Sequence, residues 1–154
     1  MNKLKKSDLS SLEEYNSNRE QFREQVLTLK KDRKVQIGSN VTLLFENLDT
    51  IKYQVQEMLR IEKIFEQNGI EKELATYNPL IPDGSNLKAT MLIEFPDEVI
   101  RKEKLGQLTG IEHKVWLQVG ENVRIFAIAD EDLEKGTGVK TSAVHFLRFE
   151  LSNL

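Results

Sequence analysis

Two β-hairpins constrain this sequence more than any other feature, because each one fixes a pair of neighbouring strands as antiparallel. In KVQIGSNVTLLFEN, two runs of β-forming residues flank a Gly-Ser-Asn turn at 38–40, whose residue types supply the positive φ angles of a tight turn. The pattern predicts strands near 34–37 and 41–46. KVWLQVGENVRIFAIA repeats the arrangement around a turn at 120–122. A fold made only of parallel strands is therefore excluded.

Helical signals occupy much of the remaining chain. The Ser-x-x-Glu spacing, in which the two side chains satisfy each other's backbone amides, begins at Ser10 and again at Ser17 and predicts two N-terminal helices. Asp49 is the predicted cap of a long helix that ends at Asn68 and Gly69. The other predicted elements are a short helix at about 71–77, a strand at 88–95, a helix from Asp97 to Gly110 and a last strand over SAVHFLRFEL.

These elements predict an α+β fold, with an antiparallel or partly mixed sheet of about six strands and helices packed on it. The nearly all-apolar run RIFAIA predicts a central strand covered on both faces. At 154 residues the chain has the size of one ordinary domain. We therefore expect a single domain over 1–154, with N-terminal helices in 1–34 and an α+β core in 35–154.

Composition excludes several classes of function. Net charge is -3, so the basic surface that nucleic acids require is not expected. The chain has no cysteine, which removes disulfides, thiolate catalysis and direct iron–sulfur ligation. It also has no run of about 18 apolar residues that would span a membrane. The basic start MNKLKK is not followed by the apolar stretch of a signal peptide, and a cytoplasmic protein is predicted.

The long predicted helix carries carboxylates on its apolar side. Around 51–65 the apolar residues cover about two-thirds of the circumference at 100° per residue, and Glu57 and Glu62 fall among them. A carboxylate in that position has to be paired, metal-bound or neutral. One interpretation is a structural ion pair or a place near a helix end. The other is a metal ligand or an acid–base group.

The last strand supplies the other residues of this alternative polar site. With a period of two, His145 shares a face with three apolar residues, and Arg148 lies on the opposite face. A lone histidine on an apolar face is more often a core residue than a ligand. Arg148 and Glu150 are expected to pair with neighbours on their own face, and Glu94 is the acidic candidate. Neither histidine has metal-binding spacing, so no metal site and no cofactor are predicted.

The stretch ATYNPLIPDGSN predicts a tailored loop over 78–86. Each proline prevents helical continuation and holds the preceding residue extended. The loop is either a rigid connector that satisfies its own backbone or a pocket rim and docking surface. In the second interpretation, Leu80 and Ile81 would contact a protein partner if they are exposed. The candidate binding residues are Asn78, Leu80, Ile81, Asp83, Ser85 and Asn86.

Five stretches together resemble a bacterial family called domain of unknown function 3501. They are YQVQEMLRIEKIFE, YNPLIPDGSN with the following KAT, VWLQVG, FAIADEDLE and TSAVHFLRFEL, and they extend over almost the whole chain. The family often has tryptophan at the position of Leu87. The resemblance brings no catalytic residues with it. It implies a genomic context of rubrerythrin-like and cysteine-rich iron–sulfur oxidoreductases, and hence a role beside a redox or oxidative-stress system.

Three hypotheses follow from these observations. The first is a non-enzymatic accessory protein that docks on a redox partner, rubrerythrin-like or iron–sulfur, through the 78–86 loop and the adjoining helix. The alternative is a small metal-dependent or small-molecule enzyme built on Glu57, Glu62, His145 and Arg148. The third is a structural homo-oligomer without a ligand.

Overall fold

The computed structural model describes residues 3–129 and 142–151. The chain divides into two compact units, which we treat separately. The helical unit comprises Met1–Arg33 with Glu46–Asp83, and the sheet unit comprises Lys34–Phe45 with Gly84–Leu154. The sequence predicted a division into 1–34 and 35–154. In the structure, residues 46–83 are instead grouped with the N-terminal segment. That the chain is one domain stays a prediction.

The helical unit begins with a short 3-10 helix, Lys6–Asp8, and one long helix, α1, Leu12–Lys31. The hydroxyl of Ser11 accepts the amide of Glu14 at 3.2 Å and caps α1. Two helices were predicted here, and this prediction was wrong. Ser17 lies inside α1, where its hydroxyl donates to the carbonyl of Glu13 at 3.1 Å instead of capping a second helix.

The long helix predicted from Asp49 to Gly69 ends earlier, as α2, Leu48–Ile61. The short helix predicted at about 71–77 is present and begins earlier, as α3, Gln67–Tyr77. Asn47, not Asp49, caps α2, because its side-chain oxygen accepts the amide of Thr50 at 2.9 Å. The helix ends where Lys63 adopts a left-handed backbone, with φ of 54°.

A Schellman motif closes this end of α2. The amide of Ile64 donates to the carbonyl of Leu59 at 2.9 Å, and the amide of Lys63 donates to that of Arg60 at 3.3 Å. Glycine usually occupies the left-handed position of this motif, and here it is a lysine. The chain then continues through α3 into a 3-10 helix, Asn78–Leu80.

Aromatic side chains join α1 to α2. The ring of Phe22 lies 6.0 Å from that of Tyr15, nearly edge to face, and also 6.0 Å from that of Tyr53. The apolar side chains buried in this unit are Leu4, Tyr15, Val26, Ile51, Val55, Leu59, Ile70, Leu74, Leu80 and Ile81. Apolar burial of this extent is the main source of stability for short helices.

Among its described residues, the sheet unit contains six strands, one α-helix and a short 3-10 helix, Ile111–His113. A four-stranded antiparallel sheet has the order β1-β2-β3-β6, formed by β1, Lys34–Ile37, β2, Val41–Phe45, β3, Asn86–Ile93, and β6, Val144–Glu150. Helix α4, Glu98–Gln107, follows β3. A two-stranded antiparallel hairpin pairs β4, Trp116–Leu117, with β5, Ile125–Phe126. The α+β class, the antiparallel pairing and both hairpins are confirmed.

One face of the four-stranded sheet forms the core of its unit. Alternation along β3 and β6 directs Met91, Leu147 and Phe149 into this core, and α4 adds Leu105. RIFAIA is not a central strand. Only Ile125–Phe126 is in a strand, Ile128 makes a single bridge to Arg148, and β2 and β3 hold the central positions. The small side chains Ala127 and Ala129 fill the core beside the last strand.

Candidate functional site

Glu57 lies inside a polar cluster of the helical unit. Arg19 donates to it from Nε at 3.0 Å and from Nη2 at 2.7 Å. The hydroxyls of Tyr15 and Tyr53 each donate to it at 3.1 Å. The Glu57 side chain is only 13% exposed. Three side chains on two helices therefore donate hydrogen bonds to this carboxylate.

The electrostatics of the cluster favour the ionised carboxylate. The hydrogen bonds from Arg19, followed by those from the two tyrosines, hold the pKa of Glu57 below its ordinary value although burial opposes this. Burial, with the adjacent Glu57 charge, raises the pKa of Tyr15 above its ordinary value, and the same causes raise that of Tyr53. An anion fixed in this way holds two helices together and is poorly suited to accept a proton at neutral pH.

Glu62 is not buried among apolar residues. It is the last, C-terminal cap residue of α2 and is exposed, because the helix stops one residue earlier. The expectation of a buried carboxylate at this position was wrong. Of the two interpretations, the place near a helix end is the one that the structure bears out for Glu62.

The residues of the last strand have partners of their own in the sheet unit. His145 is 3% exposed, and its Nε2 lies 2.9 Å from the carbonyl oxygen of Ser142. Arg148 forms an ion pair with Glu150 on the same face of β6, and Glu94 is exposed at the end of β3. Across residues 3–129 and 142–151, no three His, Asp or Glu side chains are grouped as a metal site would require.

The predicted 78–86 loop does not present an apolar surface. Leu80 and Ile81 are 5% and 6% exposed, so the condition for a docking role is not met. The carboxamide of Asn78 accepts the amide of Leu4 at 2.8 Å and donates to its carbonyl at 3.0 Å. It therefore acts as a clamp on the chain before α1.

The remaining loop residues divide between the two units. Asp83, in the helical unit, and Ser85, in the sheet unit, are exposed. Asn86 begins β3, is 6% exposed and donates to a carboxylate oxygen of Glu150 at 3.2 Å. The carbonyl of Ser85 accepts the amide of Leu151 at 3.0 Å. These polar groups extend the pairing of β3 with β6.

The hairpin β4–β5 carries an exposed aromatic surface that the sequence reasoning missed. Trp116 and Phe126 stand directly opposite each other and are 42% and 54% exposed. Since the amide of Ala127 bonds to the carbonyl of Val115, the next pair, Trp116 with Phe126, is a non-hydrogen-bonded pair, in which side chains approach most closely. The other face of the hairpin packs on the core.

A cation completes this surface, which we call the hairpin face: Trp116, Arg124 and Phe126. The guanidinium of Arg124 lies 4.1 Å above the ring of Trp116. The signal in the sequence was the mirror placement of a tryptophan and a phenylalanine about the turn at 120–122.

Among the comparisons with known proteins, a family model identifies the family, and none of the comparisons indicates an activity. The family model described as Protein of unknown function (DUF3501) matches residues 3–154. A solved structure from Burkholderia pseudomallei, described as a novel protein of unknown function, is 52% identical, with a TM-score of 0.93. The match covers 98% of this chain and 78% of that one. A search of the curated proteins finds no match. No helix in the described ranges combines the length and apolarity of a membrane span.

Proposed function

We propose that this chain, which belongs to the DUF3501 family, is a non-enzymatic accessory protein. It would bind a partner protein through the hairpin face. The observation that carries the proposal is the exposed pair of Trp116 and Phe126 with Arg124 stacked on the tryptophan. Tryptophan, phenylalanine and arginine are enriched in protein interfaces, and tryptophan and arginine dominate their binding energy.

The contiguity of these side chains supports a binding surface. Single exposed apolar residues are ordinary on soluble proteins, whereas a grouped apolar patch marks an interaction site. The cross-strand pairing holds the two rings side by side on a rigid hairpin, so little conformational entropy is lost when a partner covers them. This surface takes the role that was expected of Leu80 and Ile81, which are buried.

The polar residues of the alternative enzyme do not favour catalysis. Glu57 is held ionised by Arg19 and two tyrosines, and His145 is in contact with the Ser142 carbonyl. A catalytic acid or base needs a pKa near the working pH, and the pKa of Glu57 is shifted away from it. An accessory role requires no such group.

A redox protein is the partner class that we propose, and its support is the genomic context implied by the family resemblance. A chain without cysteine cannot hold an iron–sulfur cluster through thiolates. It would therefore assist a rubrerythrin-like or iron–sulfur protein by docking on it. The hairpin face would cover a complementary apolar patch on that protein.

The test is affinity purification of the whole chain from its native host grown at low oxygen. The wild type should retain one iron-containing protein in stoichiometric amount, detected by mass spectrometry, iron content and visible absorbance. Purified partner should then bind the Trp116→Ser, Phe126→Ser double variant at least about tenfold more weakly, as expected when aromatic anchors are lost. Circular dichroism should show both proteins equally folded.

Phe65→Ser is the matched control, because Phe65 is 73% exposed but lies in the helical unit. It should bind the partner like the wild type. Equal retention of the partner by the double variant would show that the hairpin face is not the docking surface. If light scattering shows that the wild type self-associates and the double variant does not, a second copy of the chain occupies the face, and the redox-partner proposal is wrong.

A further inference from the structure

An apolar cavity of about 250 Å³ lies within the helical unit. Its apolar lining comes from the segment before α1, from α2, from the connection to α3 and from α3 itself. These residues are Leu9, Leu12, Leu59, Ile64, Phe65 and Ile70. A dry apolar cavity of about 150 Å³ is enough to bind benzene, so this space can hold a short apolar chain.

The side chains that line the cavity differ in their exposure to solvent. Leu59 and Ile70 are 2% and 9% exposed and form a floor that belongs to the packed core of the unit. Phe65 is 73% exposed although its side chain lines the cavity. A large aromatic side chain left in water beside an apolar cavity is stabilised when an apolar ligand covers it. The geometry thus favours an apolar group that inserts against Phe65.

The polar lining residues of the cavity all come from the segment before α1. They are Lys6, Ser10 and Ser11, and Lys6 is the single charged residue among the described residues of the lining. Within residues 3–129 and 142–151, Lys6 takes part in no ion pair. An ammonium group at the edge of an apolar cavity attracts a ligand with one anionic end.

The charge of that anion is limited by the neighbouring helix. Glu13 and Glu14 already occupy the first turn of α1, directly after the cavity-lining residues Ser11 and Leu12. Lys6 supplies one positive charge to the lining and the first turn of α1 carries two negative ones, so a multiply charged group such as a phosphate is disfavoured and a monoanion is tolerated. We propose that the cavity binds a small amphipathic carboxylate, with an unbranched apolar chain against Phe65, Leu59 and Ile70 and the carboxylate beside Lys6.

The test is a titration of the isotope-labelled full chain with butanoate, hexanoate and octanoate, followed by the amide signals of Leu59, Ile64 and Ile70. These signals should shift in a saturable way. Affinity should rise about fourfold for each methylene that enters the cavity. Octanol, which has the same apolar chain without the charge, should bind several-fold more weakly than octanoate.

Two variants separate the two ends of the ligand. Phe65→Ala should weaken octanoate several-fold, whereas Phe126→Ala, at another exposed phenylalanine but in the sheet unit, should leave it unchanged. Lys6→Gln should weaken octanoate but not octanol, and Lys3→Gln should change neither. Both targeted side chains are exposed, so these variants should fold normally.

Three results would overturn the proposal: binding of octanoate weaker than about 10 mM, the same affinity in Phe65→Ala, or equal affinity for octanol and octanoate in the wild type. The cavity and the hairpin face belong to different units. Failure of one proposal is therefore measured independently of the other.

Discussion

Asn78 forms two hydrogen bonds with the backbone of Leu4. Its Oδ1 accepts the Leu4 amide at 2.8 Å, and its Nδ2 donates to the Leu4 carbonyl at 3.0 Å. Gln56 holds Ser10 in the same manner, accepting its amide at 2.7 Å and donating to its carbonyl at 3.4 Å. Gln56 is 1% exposed. Two side-chain carboxamides, one buried and one half-buried, thus fix the backbone of the segment before α1. These hydrogen bonds do not involve the side chains of Leu4 and Ser10.

Removing one clamp should destabilise the helical unit. Asn78→Ala leaves both backbone groups of Leu4 without these partners, and the expected cost is about 1–3 kcal/mol of the free energy of unfolding. All three tyrosines, Tyr15, Tyr53 and Tyr77, lie in this unit. Urea unfolding followed by tyrosine fluorescence should therefore report the loss, and hydrogen exchange should show faster exchange of the Leu4 amide. Asn68→Ala, at an exposed asparagine of α3, is the control; an unchanged Leu4 amide in Asn78→Ala would contradict the clamp.

The carboxylate of Glu57 should make stability depend on acid pH. Its pKa is lowered in the folded state, chiefly by Arg19, so its contribution is present above the unfolded pKa of about 4.3 and is lost as pH falls through the folded value. Glu57→Gln should cost about 1–2 kcal/mol at neutral pH. The difference from the wild type should shrink below about pH 4.

Urea midpoints measured from neutral pH to about pH 3 test this dependence. Glu20→Gln, which changes an exposed carboxylate on α1, is the matched control and should follow the wild type. A difference between Glu57→Gln and the wild type that stays constant with pH would mean that the ionisation of Glu57 does not stabilise the fold.

Glycine at position 63 should stabilise the protein. Lys63 adopts φ of 54°, a left-handed conformation that costs an L residue about 1 kcal/mol and glycine almost nothing. Lys63→Gly should therefore raise the free energy of unfolding by about 0.5–1 kcal/mol. Lys52→Gly, inside α2, should lower it by about 1 kcal/mol. A lower unfolding midpoint in Lys63→Gly would show that the Schellman end is not strained.

Alanine at position 69 should be harmful although it normally favours a helix. A Cβ at Gly69 would come within 2.6 Å of Cγ2 of Ile64, closer than real side-chain contacts allow. We expect Gly69→Ala to cost about 1–3 kcal/mol through this overlap. In an Ile64→Leu background, where the methyl on Cβ is gone, the cost should mostly disappear. A double-mutant cycle measures this coupling, and additive effects would contradict it.

Sequence patterns predicted the hairpins well because a local turn determines each register. Gly38 and Gly120 both have positive φ, and the strand pairs follow directly from their positions. The end of α2 was missed because lysine, not glycine, occupies its left-handed position. The environment of Glu57 could not be predicted either, since Arg19 and Tyr15 reach it from a helix about 40 residues away in the sequence.

The hairpin face could have been predicted from the sequence, whereas the burial of Leu80 and Ile81 could not. The mirror placement of Trp116 and Phe126 about a predicted turn already puts both rings on one side of the hairpin. Burial of two residues in a loop depends on contacts distant in the chain. Local composition carries no information about such contacts.

The two carboxamide clamps also impose an order on biosynthesis. Asn78 is synthesised 74 residues after its partner Leu4, and Gln56 is synthesised 46 residues after its partner Ser10. During translation, the segment before α1 therefore lacks these hydrogen bonds until the residues of α1, α2 and α3 have been synthesised. Proline at position 4 or 10 would remove the amide that Asn78 or Gln56 accepts, so both positions should reject proline.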